Sequence, residues 1–433
     1  MAGKFFFRRI GSWCVVALGA IAIAFAIAAP AHAEPDEGAG IGVVEPLVAE
    51  AMRSSPLIAA ARSHWSAQEK VPRQVSTLPD PELALQHFTV GSPQPFSGYE
   101  TSDFYYTGFG ATQEIPGPGK LGLRAQQAQR DAEFARAQYE AAQRSVAEKV
   151  REACFNLFYL RKASAVLVEN RAELDRVERI TETGYRVGRG NQQDVTKAQL
   201  QLTQMLREIE MNREQIDEQQ ADLKAIIGRE TDTRDIEIGE IKPSAFDLDT
   251  TRIRALAAAR SPALQMAQAM ASRSDDSLAL AQHDYIPDFS VGYMYQKTGP
   301  RTRDYYMLSL GAKIPLYFWR KQRPAVEQAV LEKQAASEQV RAARLDAASG
   351  VDRQIVAIRT ADRIITLYRD GLIPQSSATR AAAYAAYSSG KVDFQTLLSA
   401  VIDVLNLNQE YFRAIADHEI AIAKLKEIIG DQS

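Results

Sequence analysis

Tyr185-Arg-Val-Gly-Arg-Gly-Asn-Gln-Gln-Asp-Val195 is followed, 202 residues later, by Tyr387-Ser-Ser-Gly-Lys-Val-Asp-Phe-Gln-Thr-Leu397. Both segments open on Tyr-x-x-Gly, and both lead to the same stop, Leu223-Lys-Ala-Ile-Ile-Gly228 and Leu425-Lys-Glu-Ile-Ile-Gly430. Ala198 and Ala400 keep that register without a gap. Glycine takes the left-handed backbone that other residues resist, so it closes helices and reverses chains. The pattern therefore predicts two helix turns and two helix ends, set by a duplicated unit.

Landmarks further upstream repeat with a drift of a few residues. Ile115-Pro116 answers Ile314-Pro315, Pro79-Asp80 answers Pro287-Asp288, and Ser55-Pro56 answers Ser261-Pro262. A period near 200 is too long for a solenoid. It predicts two structural repeats, 34–245 and 246–433. Each begins with a helical stretch, Pro46 to about Val75 and Thr250 to about Asp284. Two strands follow, at about 81–92 and 103–115, then 287–298 and 304–315. A long helix then runs to a tip, at about 185–195 and 387–397, and a second helix returns.

Leu121 to Val187 holds no Pro and only two Gly, which predicts a helix of roughly 100 Å. Its counterpart, Ala325 to Ser389, is interrupted by Gly350, Gly371 and Pro374. The returning helices carry apolar residues at steps of three and four. Leu202, Met205, Ile209, Ile216, Leu223 and Ile226 form one seam; Leu397, Val401, Val404, Tyr411, Ile415, Ile422, Leu425 and Ile429 form the other. Such seams predict coiled-coil packing in an elongated molecule. The fold class is thus mainly α with a small β part.

The first residues carry an export address. Lys4, Arg8 and Arg9 precede an apolar run from Cys14 to Ala29, and Ala31-His32-Ala33 offers a cleavage site, so 1–33 reads as a signal peptide without a lipid anchor. Its loss takes the net charge from −3 to −6, an acidic balance that argues against nucleic acid. Cys154 is then the only thiol, so no intrachain disulfide forms. No later stretch is apolar for the ~18 residues a membrane helix needs.

The strands alternate. Phe289, Val291, Tyr293 and Tyr295 interleave with Ser290, Gly292, Met294 and Gln296; Tyr306, Leu308, Leu310, Ala312 and Ile314 do the same with smaller or polar residues. One apolar and one small or polar face is the pattern of a membrane barrel strand, with aromatics at the interfaces. Phe104, Tyr106, Tyr293, Tyr295, Tyr306 and Trp319 are the belt candidates. Trp319, beside Tyr317 and Phe318 and before Arg320, Lys321 and Arg323, reads as a barrel-to-helix junction. The bland alternative is two hairpins of a soluble sheet. Four strands cannot close a barrel, since single-chain barrels begin at about eight. If lipid faces these strands, several protomers must pool them, and three would supply twelve.

Together the duplicated halves, the Tyr185-x-x-Gly188…Asp194-Val195…Ala198 turn, its partner Tyr387-x-x-Gly390…Leu397…Ala400, and the Ile-Pro strand exits resemble the TolC family of outer-membrane efflux proteins. The resemblance covers essentially the whole mature chain. It implies a homotrimer in outer-membrane lipid, a twelve-stranded barrel continued by a periplasmic α-helical tunnel, a periplasmic adaptor protein and an inner-membrane pump of the RND type. Leu78-Pro-Asp-Pro81 with Gln113-Glu-Ile-Pro-Gly-Pro-Gly-Lys120 is similar to the heavy-metal members associated with copper or cobalt-zinc-cadmium efflux. Tip and gate candidates are Gly188, Gly190, Asp194, Gly390, Asp393, Thr396, Ser399 and Asp403. The family's best-known channel has aspartates six and nine residues after the second-half glycine, where this chain has Thr396 and Ser399. Asp393 and Asp403 lie nearby and can substitute, while Asp194 and Asp393 also suit helix capping.

His64, His87, His283 and His418 are scattered without ligand spacing, so no metal site and no cofactor is predicted within one chain. Cys154 and His418 read as core residues. No nucleophile elbow, zinc motif or phosphate loop appears, which argues against an enzyme. The remaining alternative is a periplasmic coiled-coil adaptor or structural protein of an envelope complex.

Overall fold

The computed structural model describes residues 44–89, 105–246, 249–299 and 302–430. The export segment 1–33 and the belt candidate Phe104 lie outside them. All of these belong to one unit, Gly38–Ser433.

In chain order the elements are α1 Glu45–Ser54, α2 Pro56–Gln68, α3 Val71–Val75, β1 Glu82–Thr89, β2 Tyr105–Ile115, α4 Lys120–Arg186 and α5 Gln192–Ile227. Then come α6 Thr250–Arg260, α7 Pro262–His283, β3 Asp288–Thr298, β4 Tyr305–Lys313, α8 Gln322–Leu367, α9 Ile373–Ser388 and α10 Phe394–Ile429. Where one helical stretch is predicted at the head of each half, the structure breaks it, at Ser55-Pro56 and at Ser261-Pro262. Ser55 and Ser261 are extended, with ψ of 123° and 124°. A proline bars the preceding residue from the helical region while starting the next helix well.

The second long helix also differs from its prediction. Gly350 does not interrupt α8; it is buried, and a Cβ there would meet Ile428 Cδ1 at 3.2 Å. Gly371 and Pro374 produce a single π-helical turn, Tyr368–Leu372, between α8 and α9. Proline lacks the N–H that an α turn needs, and the wider turn absorbs the gap.

The helices lie side by side in the order α5, α4, α10, α8, with α7 between α4 and α8. On α5 the heptad seam continues through Ala198, Met205, Asn212, Leu223 and Ile227, all buried. α10 departs from a single seam. From Ala414 to Ile429 it is buried almost all round, because α4 covers one side and α6 and α8 the other. A core at mid-length joins Val150, Phe155 and Leu157 of α4 to Ile227 and Ile415, and Ile236 and Ile241 of the inter-repeat segment close it. Towards the tips a second core joins Leu174 and Val177 to Met205, Leu397 and Val401.

Candidate functional site

The four strands form one antiparallel sheet in the order β1-β2-β3-β4. Register decides which side chains share a face. Leu85 pairs with Phe109, Phe109 with Tyr295, and Tyr295 with Tyr306. Leu83, Ala111, Tyr293 and Leu308 form the next row on the same face. Among the described residues nothing covers that face: Leu308 is 67% exposed and Leu310 76%. The opposite face carries Ala84, Gln86, Gly108, Gly110, Thr112, Ser290, Gly292, Ser309 and Gly311. It is crowded. A Cβ on Gly110 would lie 2.6 Å from the Tyr293 carbonyl oxygen, and one on Gly292 2.5 Å from Ser309 Oγ. The glycines let the sheet curl towards the small, polar side. Among the described residues β1 and β4 each pair on one side only, leaving two open edges.

The aromatic candidates divide between the faces. Tyr293, Tyr295 and Tyr306 cluster on the apolar face, with Tyr306 6.4 Å and 5.4 Å from the first two ring centroids. Tyr295 also donates to Asp304 Oδ2. Tyr106 is on the other face, stacked on Phe88 at 5.4 Å. Tyr106 follows another tyrosine in the sequence, and only strand pairing shows which face Tyr106 takes. Trp319 sits below β4 with Phe318 at 5.2 Å and Tyr317 at 6.1 Å. Tyr285 joins this group, 6.4 Å from Phe318, and is not among the sequence candidates.

At the other end, α4 turns into α5 and α9 into α10. Gly188 and Gly390 hold φ of +71° and +72°, so the reversals require glycine. Gly190 matters for room instead: a Cβ there would lie 3.1 Å from Tyr185 N. Capping falls differently from the prediction at Asp194. α5 is capped by Asn191 without a side-chain bond, and Asp194 only follows in the first turn. Asp393 caps α10, its Oδ1 accepting from Thr396 N at 2.9 Å and Thr396 Oγ1 at 2.6 Å. The Thr396 hydroxyl and N–H hold its carboxyl below the usual range. Thr396, Ser399, Asp403, Asn406 and Glu410 follow one another at steps of three and four, all exposed. They form the solvent stripe of α10, with Asp403 as the carboxylate nearest the tip. Tyr384 of α9 donates to Glu173 of α4 at 3.1 Å, and Tyr368 donates to Glu410 at 2.6 Å. Burial and the Glu173 charge push the Tyr384 phenol up to about 12, so it stays a donor.

Two polar clusters lie inside the bundle. His418 and Glu419 are wholly buried; Glu419 accepts from His418 Nδ1 at 2.9 Å and from Ser244 N and Oγ at 2.7 and 2.8 Å, while His418 Nε2 lies 3.1 Å from Asp362. Cys154 is fully buried, and burial pushes its thiol up to about 12, so it packs as a small apolar residue. Glu148 of α4 is also buried, facing Glu152 on its own helix and Glu427 and Lys424 on α10. Burial first, then the Glu152 and Glu427 charges, push it up to about 7. A carboxyl raised in the fold stabilises below its unfolded pKa, and that contribution is lost as pH rises through about 7. Glu148→Gln is therefore expected to leave urea stability unchanged at pH 4, below the unfolded value of 4.5, and to raise it at pH 8. The gain should be on the order of 2 kcal/mol after allowing for solvent screening.

Among the described residues no group of His, Cys, Asp and Glu is arranged to hold a metal ion. No described helix is long and apolar enough to cross a membrane. Among the described residues the uncovered sheet face is the one extended apolar surface built from strands.

Comparison with known proteins agrees with this architecture. The outer membrane efflux protein family matches residues 47–229 and 253–431. No curated protein matches the sequence. Among solved structures the chain is similar to the outer membrane protein VceC of Vibrio cholerae, at 16% identity over 90% of this chain and 96% of that one, with a TM-score of 0.76. It is similar to the CmeC outer membrane channel of Campylobacter jejuni, at 16% identity over 90% and 86%, TM-score 0.76. CusC, studied for transmembrane channel formation, matches at 13% over 90% and 93%, TM-score 0.76. At these identities the likeness is one of fold.

Proposed function

The chain belongs to the outer membrane efflux protein family, a family of channels and not of enzymes, and we propose that it is the outer-membrane subunit of a tripartite efflux system, working as a homotrimer. The observation that carries the reading is the sheet: an uncovered apolar face between two unpaired edges. In lipid an open edge leaves backbone groups without partners. Joining β4 of one protomer to β1 of the next supplies them, and three copies close a twelve-stranded barrel. The glycine-lined face then surrounds the lumen.

The helices support the same assembly. α5 and α8 are the flanks of the row, and both carry apolar residues that none of the described residues covers. On α8 these are Leu331, Leu345, Val356 and Leu367, 57–64% exposed and spaced by nearly whole turns. On α5 they are Leu200 and Met211. Three protomers packed flank to flank make a periplasmic tunnel. The Gly188 and Gly390 tips meet a periplasmic adaptor, and an RND-type pump in the inner membrane loads the duct. Heavy-metal ions are the proposed cargo, on the resemblance of 78–81 and 113–120. Deleting the chain should lower metal tolerance several-fold. Unchanged tolerance to every metal, with increased sensitivity to other compounds, would remove the metal cargo and keep the channel.

At the tip we place the acidic ring at Asp403. In a trimer three copies face a narrow lumen, attracting cations. The Asp393 carboxylate is occupied by its own helix end. Asp403→Ala is expected to lower the cation-to-anion permeability ratio in planar bilayers several-fold. Asp393→Ala should leave that ratio nearly unchanged and lower the thermal unfolding midpoint. The reverse pattern would move the ring to Asp393.

A further inference from the structure

The two open flanks of the helical row carry opposite charge. On α5, Glu210, Glu214, Asp217, Glu218 and Asp222 are all exposed. Among the described residues none of these five carboxylates has an ion-pair or hydrogen-bond partner. On α8, Arg353, Arg359 and Arg363 are exposed. Arg363 is held by its own helix alone, donating to the Arg359 carbonyl oxygen at 3.2 Å and to Thr360 Oγ1 at 3.4 Å. The two acids of that stretch, Asp352 and Asp362, are taken by Arg254 and His418, and no described carboxylate pairs with any of the three arginines. Apolar groups stand among the charges: Val356 and Ile364 on α8, and Met211 on α5, are 63%, 37% and 50% exposed.

The duplication says how these flanks meet. α5 and α10 are copies of one helix, equal in length and one repeat apart, and α8 stands to α4 in the same relation. Within the chain α4 packs against α10, whereas α8 and α5 do not pack on each other. In a closed ring of chains the contact still to be made is α8 of one copy on α5 of the next, which repeats the α4–α10 contact between chains. That contact supplies the register. Phe158 of α4 meets Phe412 of α10 edge-on at 6.4 Å, Lys162 lies 5.5 Å over the Phe412 ring, and Lys424 Nζ is 2.8 Å from Glu152 Oε1. One repeat away these positions are Thr360, Ile364 and Gln354 on α8, and Glu210 and Asp222 on α5. Arg363, beside Ile364, therefore comes level with Glu210. Arg353, beside Gln354, comes level with Asp222, with Glu218 one turn along. Leu157 and Ile420, both in the mid-length core, are answered by Arg359 and Glu218, so charges replace apolar groups at equivalent places.

We propose that α5 and α8 form an ion-paired seam occupied by a second copy of this chain. Arg363 of one copy meets Glu210 of the next, and Arg353 meets Glu218 and Asp222. The seam is head-to-tail, so every pair is satisfied only when the ring closes. It rests on the homotrimer proposed above and adds to it a register and a dependence on salt, since exposed ion pairs are screened.

The test uses the full-length oligomer extracted from the outer membrane. Arg363→Glu and Glu210→Arg each set like charges against each other, and each should lower the yield of heat-stable oligomer by at least about threefold. The two together restore opposite charges and should recover most of the wild-type yield. Both positions are exposed, so the helix content of each variant should match the wild type. Register is read separately. Thr360→Cys/Glu210→Cys, treated with a short bis-maleimide, should link chain to chain, and neither single variant should; Cys154 is buried and does not compete. Single reversals without effect, a double reversal as weak as the singles, lost helix content in a single reversal, or links formed only within one chain would overturn the seam. A membrane-borne wild-type trimer indifferent to these changes would overturn the seam alone. Wild-type chain recovered singly outside the membrane would overturn the trimer as well.

Discussion

Leu308→Lys should nearly abolish the membrane-inserted oligomer, while Met307→Lys, one residue earlier on the same strand, should leave most of it. Leu308 lies on the uncovered apolar face, in the row with Tyr293 and Ala111. Met307 pairs with Met294 on the small, polar face. A lysine facing lipid near the bilayer midplane costs about 2–4 kcal/mol, whereas one facing a lumen costs little. In the proposed trimer each protomer carries the substitution, so the assembled barrel loses that amount three times over. The readout is the heat-stable oligomer recovered in the outer-membrane fraction, with an expected fall of at least about thirty-fold for Leu308→Lys. Equal losses for both variants would mean that the two faces do not differ in environment. Equal tolerance would mean that neither meets lipid.

Glu419→Ala is expected to carry the largest cost inside the helical body. Glu419 is completely buried and holds three donors, from His418 and twice from Ser244. Ser244 belongs to the segment that joins the two repeats, so this carboxylate fixes the join to α10. Removing one partner of a buried charged pair costs about 3–5 kcal/mol, because the groups left behind remain desolvated. That is a large share of the stability of an ordinary domain. Urea unfolding should show the loss, and limited proteolysis should cut within 229–246 in the variant at conditions where the wild type resists. Glu419→Gln keeps one acceptor oxygen and should lose clearly less. A loss below about 1 kcal/mol for the alanine would mean that water replaces the carboxylate and that the segment is held elsewhere.

Much of this architecture is legible in the residues because backbone chemistry is local. Gly188 and Gly390 announce reversals, Ile-Ile-Gly announces helix ends, and 67 residues without proline from Lys120 to Arg186 can only be a long helix. The alternation from Phe289 to Ile314 likewise gives both the strands and their apolar face. What is not legible depends on partners distant in sequence. Tyr106 faces away from the apolar belt, and no property of Tyr105-Tyr106 says so; the pairing with Phe88 and Thr298 does. His418 fits an apolar seam by spacing alone, yet Asp362 on α8 and the neighbouring Glu419 give it polar company. Asp194 and Asp393 look alike beside their turns, but Asp393 stands just before α10 and caps it through Thr396, whereas α5 begins at Gln192 and Asp194 already lies inside its first turn. Gln322 shows nothing in the sequence; only the structure reveals that it is buried, its Oε1 without a hydrogen-bond partner among the described residues.

In the proposed assembly the open-edged sheet closes only when three chains meet in the outer membrane. The most direct test of that assembly is the mass of the particle extracted from that membrane, measured before and after heating. A particle of three chains that falls to one chain on heating is the expected result. A single soluble chain from the periplasm, or a membrane-borne particle of any number other than three, would contradict it.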